Sequence, residues 1–170
     1  AAMAGQLGAR VLLLDHAVEG RDLCTVTTDD EVGAYHATRY LLDLGHRRIL
    51  LLGKPPHHTS SVARARGYRK ALAEADADPA VGRTIACDGS YEDSYRRVFE
   101  AATSPDFTAV IALSDIMAAA AWKALTDSGR RVPDDISLIG YDDTMVTRIL
   151  SLTTVAQPTR EIGRNALALL

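Results

Sequence analysis

Short apolar runs alternate along this chain with amphipathic stretches whose apolar positions recur at helical spacing. Val11 to Leu14 is an apolar run that stops at Asp15 and His16, and Leu23 to Thr28 alternates and is β-branched; both predict strands. Asp29, Asp30 and Glu31 then mark a helix start, because carboxylates there cap free amides and complement the helix dipole. Ala34, Ala37, Tyr40, Leu41 and Leu44 keep helical spacing, and Gly45 ends the run. Ile49 to Leu52 predicts a wholly apolar strand, followed by a loop with two prolines and two histidines. Ser60 or Ser61 is placed to cap a helix running to Ala75.

The rhythm then repeats. Thr84 to Cys87 predicts a strand, Glu92 to Thr103 a helix, and Ala109 to Leu113 a strand. Ser114 caps a helix to Ser128, with Gly129 just past its end. Ile136 to Ile139 is a bounded apolar run, entered through a Pro-Asp-Asp turn and left at Gly140, which suits a buried parallel strand. A short helix or turn over Asp143 to Leu150, a strand at Thr153 to Val155 and a helix opened by Pro158 complete the chain. Strands alternating with helices mean an α/β fold with a parallel sheet and helices on its faces. The Pro/Gly-containing stretch from Asp76 to Arg83 is the candidate crossing between two such units.

Composition narrows the class. The chain has 170 residues, 47% hydrophobic and 24% charged, so it can bury one good-sized core or two small ones. A net charge of −3 gives no electrostatic reason for this segment itself to bind nucleic acid. No apolar run approaches the ~18 residues of a membrane span, so no membrane partner is expected. Cys24 and Cys87 fit no metal spacing and need no disulfide, which favours a reducing, cytoplasmic setting. The start, AAMAGQLGARVLLLD, lacks a basic segment followed by a long apolar core, so it reads as a domain entered partway rather than a secretion signal.

Polar residues sit at several strand ends: Asp15, Asp29, Asp88, Ser114 and Asp142. Such residues ordinarily cap helices and form turns. In an open α/β sheet, however, ligands bind just beyond the carboxyl ends of the strands, and there the same groups can hold something polar. Arg69 and Lys70 read as a solvated helix face. Arg64 differs, because it lies in the first turn beside a strand's carboxyl end, where a planar guanidinium can grip vicinal hydroxyls or a carboxylate with two hydrogen bonds. Asp142-Asp143 would suit a phosphoacceptor pocket only with further acids and a lysine that the sequence does not supply. His57-His58 suggests no metal site beyond an exposed loop pair. Neither a nucleophile elbow, a P-loop nor GxGxxG is present, so no residue pattern supports an enzyme, a cofactor or a metal.

Five segments carry a family resemblance: DDEVGAYHATRYLLDLGHRRILLLG (Asp29 to Gly53), RARGYRKAL (Arg64 to Leu72), ALSDIMAAAAWKALTDSG (Ala112 to Gly129), RVPDDISLIGYDD (Arg131 to Asp143) and LTTVAQP (Leu152 to Pro158). In order and spacing they resemble the effector-binding region of LacI/GalR-family bacterial transcription regulators. The third is similar to that family's AxNDxMAxGAxxAL segment. The resemblance implies two Rossmann-like lobes of the periplasmic-binding-protein-like type, with parallel sheets flanked by helices. Here they are incomplete, with residues 1–78 in the N-terminal lobe, 79–156 in the C-terminal lobe, and 157–170 as a crossover into the last N-lobe helix. It also implies that the DNA-binding helix-turn-helix and hinge are absent from this chain.

Carried over residue by residue, Arg64 matches an arginine that holds sugar hydroxyls, and Asp142 an aspartate that accepts hydroxyl bonds from the opposite lobe. Asp15, Ser60 and Gln157 match further cleft positions. Ser114 stands where the family usually has Asn, and Gly89 where some sugar-binding members carry a stacking aromatic, a place Tyr91 could fill. The resemblance implies a homodimer through Ala119, Trp122 and the Met145 to Leu150 segment. The ordinary alternative for Trp122 is a core position. The expectation is an effector sensor for a small molecule, a sugar or sugar derivative, that alters operator DNA binding allosterically. The alternatives are a transport solute-binding protein of the same fold, an α/β enzyme using the strand-end carboxylates, and a cleft that takes a nucleobase or a phosphorylated metabolite, as the resemblance to some family members implies.

Overall fold

The computed structural model describes residues 11–15, 23–55, 59–75, 83–103 and 105–170. His16, His57, His58, Pro79 and Gly82 therefore lie outside the described residues, as does most of the expected crossing. The described residues form seven strands and six helices, and the chain divides into two units, residues 1–29 with 157–170, and residues 30–156.

In the smaller unit, β1 (Leu12–Leu14) pairs in parallel with β2 (Cys24–Val26), in the register Leu12 to Cys24 and Leu14 to Val26. Helix α6 (Thr159–Leu169) packs on both strands and buries Ile162 and Ala166, residues one helical turn apart.

The larger unit holds α1 (Asp30–Asp43), β3 (Ile49–Gly53), α2 (Thr59–Glu74), β4 (Thr84–Ala86), α3 (Tyr91–Ala102), β5 (Ala109–Ala112), α4 (Asp115–Asp127), β6 (Ser137–Asp142), α5 (Met145–Ile149) and β7 (Thr153–Ala156). Its five strands lie in the order β4-β3-β5-β6-β7, every pair parallel. Helices α1 and α2 pack together, as do α3 and α4; right-handed crossovers put one pair on each face. A strand covered on both faces should read as an unbroken apolar run. Ile49 to Leu52 does so, with none of the four more than 1% exposed, and each such burial stabilises by about 1.5–3 kcal/mol.

This sheet corrects the expected lobe boundary. β3 and β4 lie side by side, Leu52 opposite Ile85, so the strands before and after the expected boundary at 78/79 belong to one sheet. The divisions fall instead at 29/30 and 156/157.

Local features explain how the helices sit. Ser90 and Ser114 cap α3 and α4, their hydroxyls accepting from the amides of Asp93 and Met117. Ser60 and Ser61 are not caps. Helix α2 already begins at Thr59, and the Ser61 hydroxyl accepts from the Lys54 amide at 3.1 Å instead. Gly67 lets α1 and α2 approach closely, because a Cβ there would stand 2.0 Å from the Glu31 carbonyl oxygen. The alanines of α4 serve the same end: Ala118, Ala120, Ala121 and Ala124 are fully buried. At the amino edge of the sheet, His46 joins the entries of three strands, Nδ1 lying 2.9 Å from Thr108 Oγ1 and Nε2 3.0 Å from Ser137 Oγ. Burial lowers its pKa from the ordinary histidine value.

Candidate functional site

The strand order creates a switch point. From β3 the chain moves through α2 to β4 on one side; from β5 it moves through α4 to β6 on the other. Where neighbouring strands send their connections in opposite directions, a crevice opens beyond their carboxyl ends, the usual ligand position in such sheets. Arg64 projects into this region from the first half of α2.

Arg64 is 8% exposed. Its Nε donates to Asp30 Oδ1 at 2.8 Å and its Nη1 to the Leu113 carbonyl at 2.6 Å. The same Nη1 lies 3.7 Å from Asp142 Oδ1. The guanidinium carbon stands 3.7 Å from the centre of the Tyr141 ring, a stacking that favours a cation over the aromatic face. A charge this buried requires a partner, and Asp30 supplies it from the first residue of α1. Burial pushes the Tyr141 hydroxyl up to about 12, against a lowering by Arg64. Tyr141 is therefore neutral at physiological pH and serves as a ring support with one polar tip.

Asp142 ends β6 with φ 121°, and Asp143 follows at φ 58°. Both are left-handed conformations that side-chain-bearing residues seldom adopt, at about 1–3 kcal/mol each. What holds them is Asp115, 1% exposed at the start of α4. Its carboxylate accepts from the Thr144 amide at 2.5 Å, from Thr147 Oγ1 at 3.0 Å and from Thr154 Oγ1 at 2.6 Å. Arg148 adds an outer clamp, donating from Nε at 3.1 Å and from Nη2 at 2.9 Å to the Asp143 carboxylate. That clamp holds the Asp143 carboxyl below its usual pKa.

The structure thus brings Arg64 and Asp142 together, but not from opposite lobes as expected. Both belong to the larger unit, because β3 and β6 are strands of one sheet. Ser60 lies half-buried in the first turn of α2. Ser114 spends its hydroxyl on its own helix, accepting from the Met117 amide at 3.4 Å. Asp15 and Gln157 belong to the smaller unit. Asp15 has φ 50° and accepts from the Thr28 amide at 3.2 Å; the Gln157 carbonyl accepts from the Thr159 amide at 2.9 Å.

Two residues of the site escaped sequence reasoning. Asp30 looked like a helix-start carboxylate and Asp115 was not singled out, whereas Tyr141 was expected at the ligand edge beside Asp142. The one signal for Asp30 and Asp115 was position, each within two residues of a strand end or helix start. Of the expected partner surface, Ala119 is buried, at 6% exposure. Trp122 is partly buried against that core and Leu150 half-buried. Met145 is 75% exposed and Ile149, within the same expected segment, 73%; Ile116, which the sequence did not single out, is 48% exposed.

Residues 38–170 match the family described as periplasmic binding protein-like domain. The chain belongs to this family. Among its periplasmic binding protein-like relatives, the regulator CelR of Thermobifida fusca is 37% identical over 148 residues, covering 85% of this chain and 44% of CelR. The repressor PurR of Vibrio campbellii is 35% identical over 164 residues, covering 94% of this chain and 48% of PurR. The chain therefore spans about half the length of the curated relatives it matches. A LacI-family regulator from Enterococcus faecium, solved with bound ribose, superposes with TM-score 0.88 and 30% identity over 98% of this chain and 62% of its own. A CelR–cellobiose complex gives TM-score 0.85 and 33% identity over 99% of this chain and 53% of its own. The expected likeness to LacI-type effector-binding regions holds in both sequence and fold. Among the described residues no helix is long and apolar enough to cross a membrane, and no group of three or more His, Cys, Asp or Glu is arranged to hold a metal ion.

Proposed function

We propose that this chain is the effector-sensing region of a LacI-type transcription regulator, binding a small polyhydroxylated ligand, a sugar or sugar derivative, at the carboxyl edge of the larger unit's sheet. The observation that carries this is the Arg64 guanidinium, buried at the switch point between Asp30, the Leu113 carbonyl and Asp142. Paired hydroxyls are bound by a forked donor on one side and a carboxylate acceptor on the other. The relatives named above are transcription regulators, and two solved ones hold ribose or cellobiose; this favours a sensor over a transport protein or an enzyme. Operator DNA is then bound by parts of the regulator outside this chain, in a cytoplasmic homodimer. Ligand shifts the regulator between states only by its difference in affinity for them.

The test is ligand-induced thermal stabilisation with ribose, cellobiose and a panel of other sugars. A ligand that binds only the native state at 100 times its Kd adds about 2.7 kcal/mol of stability. Arg64→Ala should abolish the shift. Arg64→Lys, which keeps the charge and loses the fork, should weaken binding at least tenfold. A folded Arg64→Lys variant that binds the same sugar as tightly as the parent refutes the clamp.

A further inference from the structure

Arg64 does not aim the Asp142 carboxylate. Its Nη1 stands 3.7 Å from Asp142 Oδ1, beyond the reach of an ordinary hydrogen bond. Its closer contacts go to Asp30, the Leu113 carbonyl and the Tyr141 ring. The direction of Asp142 is set by its main chain, which is left-handed at 142 and again at 143. Two such residues in succession persist only where the surrounding structure holds them.

Thr154, in β7, completes that hold. Its Oγ1 lies 2.6 Å from Asp115 Oδ1 and 3.4 Å from the Asp143 amide nitrogen. A hydroxyl has one proton and a carboxylate only accepts, so Thr154 donates to Asp115 and turns a lone pair towards the Asp143 amide. Donation to a charged acceptor makes the hydroxyl oxygen a better acceptor in its turn. The Thr144 amide donates to Asp115 Oδ2. Both amides that follow Asp142 are thus drawn to one buried carboxylate, Thr144 directly and Asp143 through Thr154. Gly140, two residues before Asp142, makes the space: a Cβ there would come 2.5 Å from Asp115 Oδ1. The hydroxyl is not needed to dock β7, because register pairs from Ile139 and Thr153 to Asp142 and Ala156 already join that strand to β6.

We infer that Thr154 is a positioning residue of the effector site: its hydroxyl relays the hold of Asp115 to the Asp143 amide and so aims the Asp142 carboxylate at the ligand. This deepens the proposed function and rests on its assignment of the Arg64 and Asp142 edge as the effector site. Thr154 itself touches no ligand, and its effect on affinity passes through Asp142.

The experiment is calorimetric titration of the whole protein that carries this chain with ribose, cellobiose and the panel of other sugars. For a sugar that binds, Thr154→Val should weaken affinity about three- to tenfold, the worth of one hydrogen bond. Thr154→Ser keeps the hydroxyl and should stay within about twofold of the parent. Thr154→Ala set against Thr154→Ser isolates the same hydroxyl and serves if Thr154→Val does not fold. The deciding arm is the Asp142→Ala background, titrated at higher sugar concentration. There Thr154 has no carboxylate left to aim, so Thr154→Val should change affinity by less than about twofold. An equal loss in both backgrounds would mean that Thr154 only supports the fold, and would overturn the inference. Unchanged affinity in Thr154→Val, or Thr154→Ser as weak as Thr154→Ala, would overturn it too. Binding that is lost on Arg64→Ala and weakened by Asp142→Ala yet indifferent to Thr154 removes this inference alone. A sugar held as tightly by Asp142→Ala and Arg64→Lys as by the parent removes the reading beneath it as well.

Discussion

Asp115→Ala tests the most consequential buried group in the larger unit. The carboxylate is 1% exposed and accepts three hydrogen bonds, from the Thr144 amide, Thr147 Oγ1 and Thr154 Oγ1. It ties the first turn of α4 to the entry of α5 and to β7. Hydrogen bonds to a charged group contribute about 1.5–3 kcal/mol each, so simple addition gives roughly 4.5–9 kcal/mol. Two effects reduce that sum. Thr147 keeps a second acceptor, the Thr144 carbonyl at 3.0 Å, and alanine removes the cost of burying a charge. The expected net loss is about 3–5 kcal/mol. Asp115→Asn should lose roughly 2 kcal/mol, because its amide nitrogen must face a donor. Urea unfolding followed by the fluorescence of Trp122, the chain's single tryptophan and itself on α4, reads the change directly. Thr154→Val supplies the second arm of a double-mutant cycle, with a coupling of about 1 kcal/mol expected. Amide exchange at Asp143 and Thr144 should quicken in Asp115→Ala, since the left-handed turn after β6 loses its anchor. A loss below about 1 kcal/mol, or a Thr154→Val cost equal in both backgrounds, would refute the reasoning.

Three further outcomes follow from the geometry. Gly67→Ala forces a methyl to within 2.0 Å of the Glu31 carbonyl oxygen and should destabilise by about 3 kcal/mol in urea, since backbone rather than a flexible side chain must yield. The Asp93 carboxyl is held down to about 2, chiefly by its hydrogen bond from Arg97, against an ordinary value of 3.8. Its contribution to stability is therefore complete above 3.8 and lost as pH falls towards 2, and Asp93→Asn should flatten the urea midpoint over that window. Met145→Asp with Ile149→Asp places two charges on the exposed apolar surface of α5; sedimentation should show dimer converting to monomer, and an unchanged oligomeric state would move the interface elsewhere.

The alternation of strands and helices was legible because burial imposes its period on local sequence. Ile49 to Leu52 and Ala109 to Ala112 read as apolar runs because both faces of those strands are covered. The limits of α4 were legible from Ser114 and Gly129, since capping is settled within a few residues. Arg64 was legible from its place just after a strand. The buried face of α4 was not, because a run of four alanines carries no periodic contrast.

The chain's own residues determined which segments become strands and helices, where most of them begin and end, and that an arginine and an aspartate stand at strand ends. Only the tertiary structure decided that β3 lies between β4 and β5, that Asp30 answers a guanidinium 34 positions away, and that Arg64 of α2 meets Asp142 at the end of β6. The physical reason is range. Turns, caps and periodicity are energies of neighbouring residues, whereas strand order and the pairing of buried charges are set by how the whole core closes, which no single stretch of sequence contains.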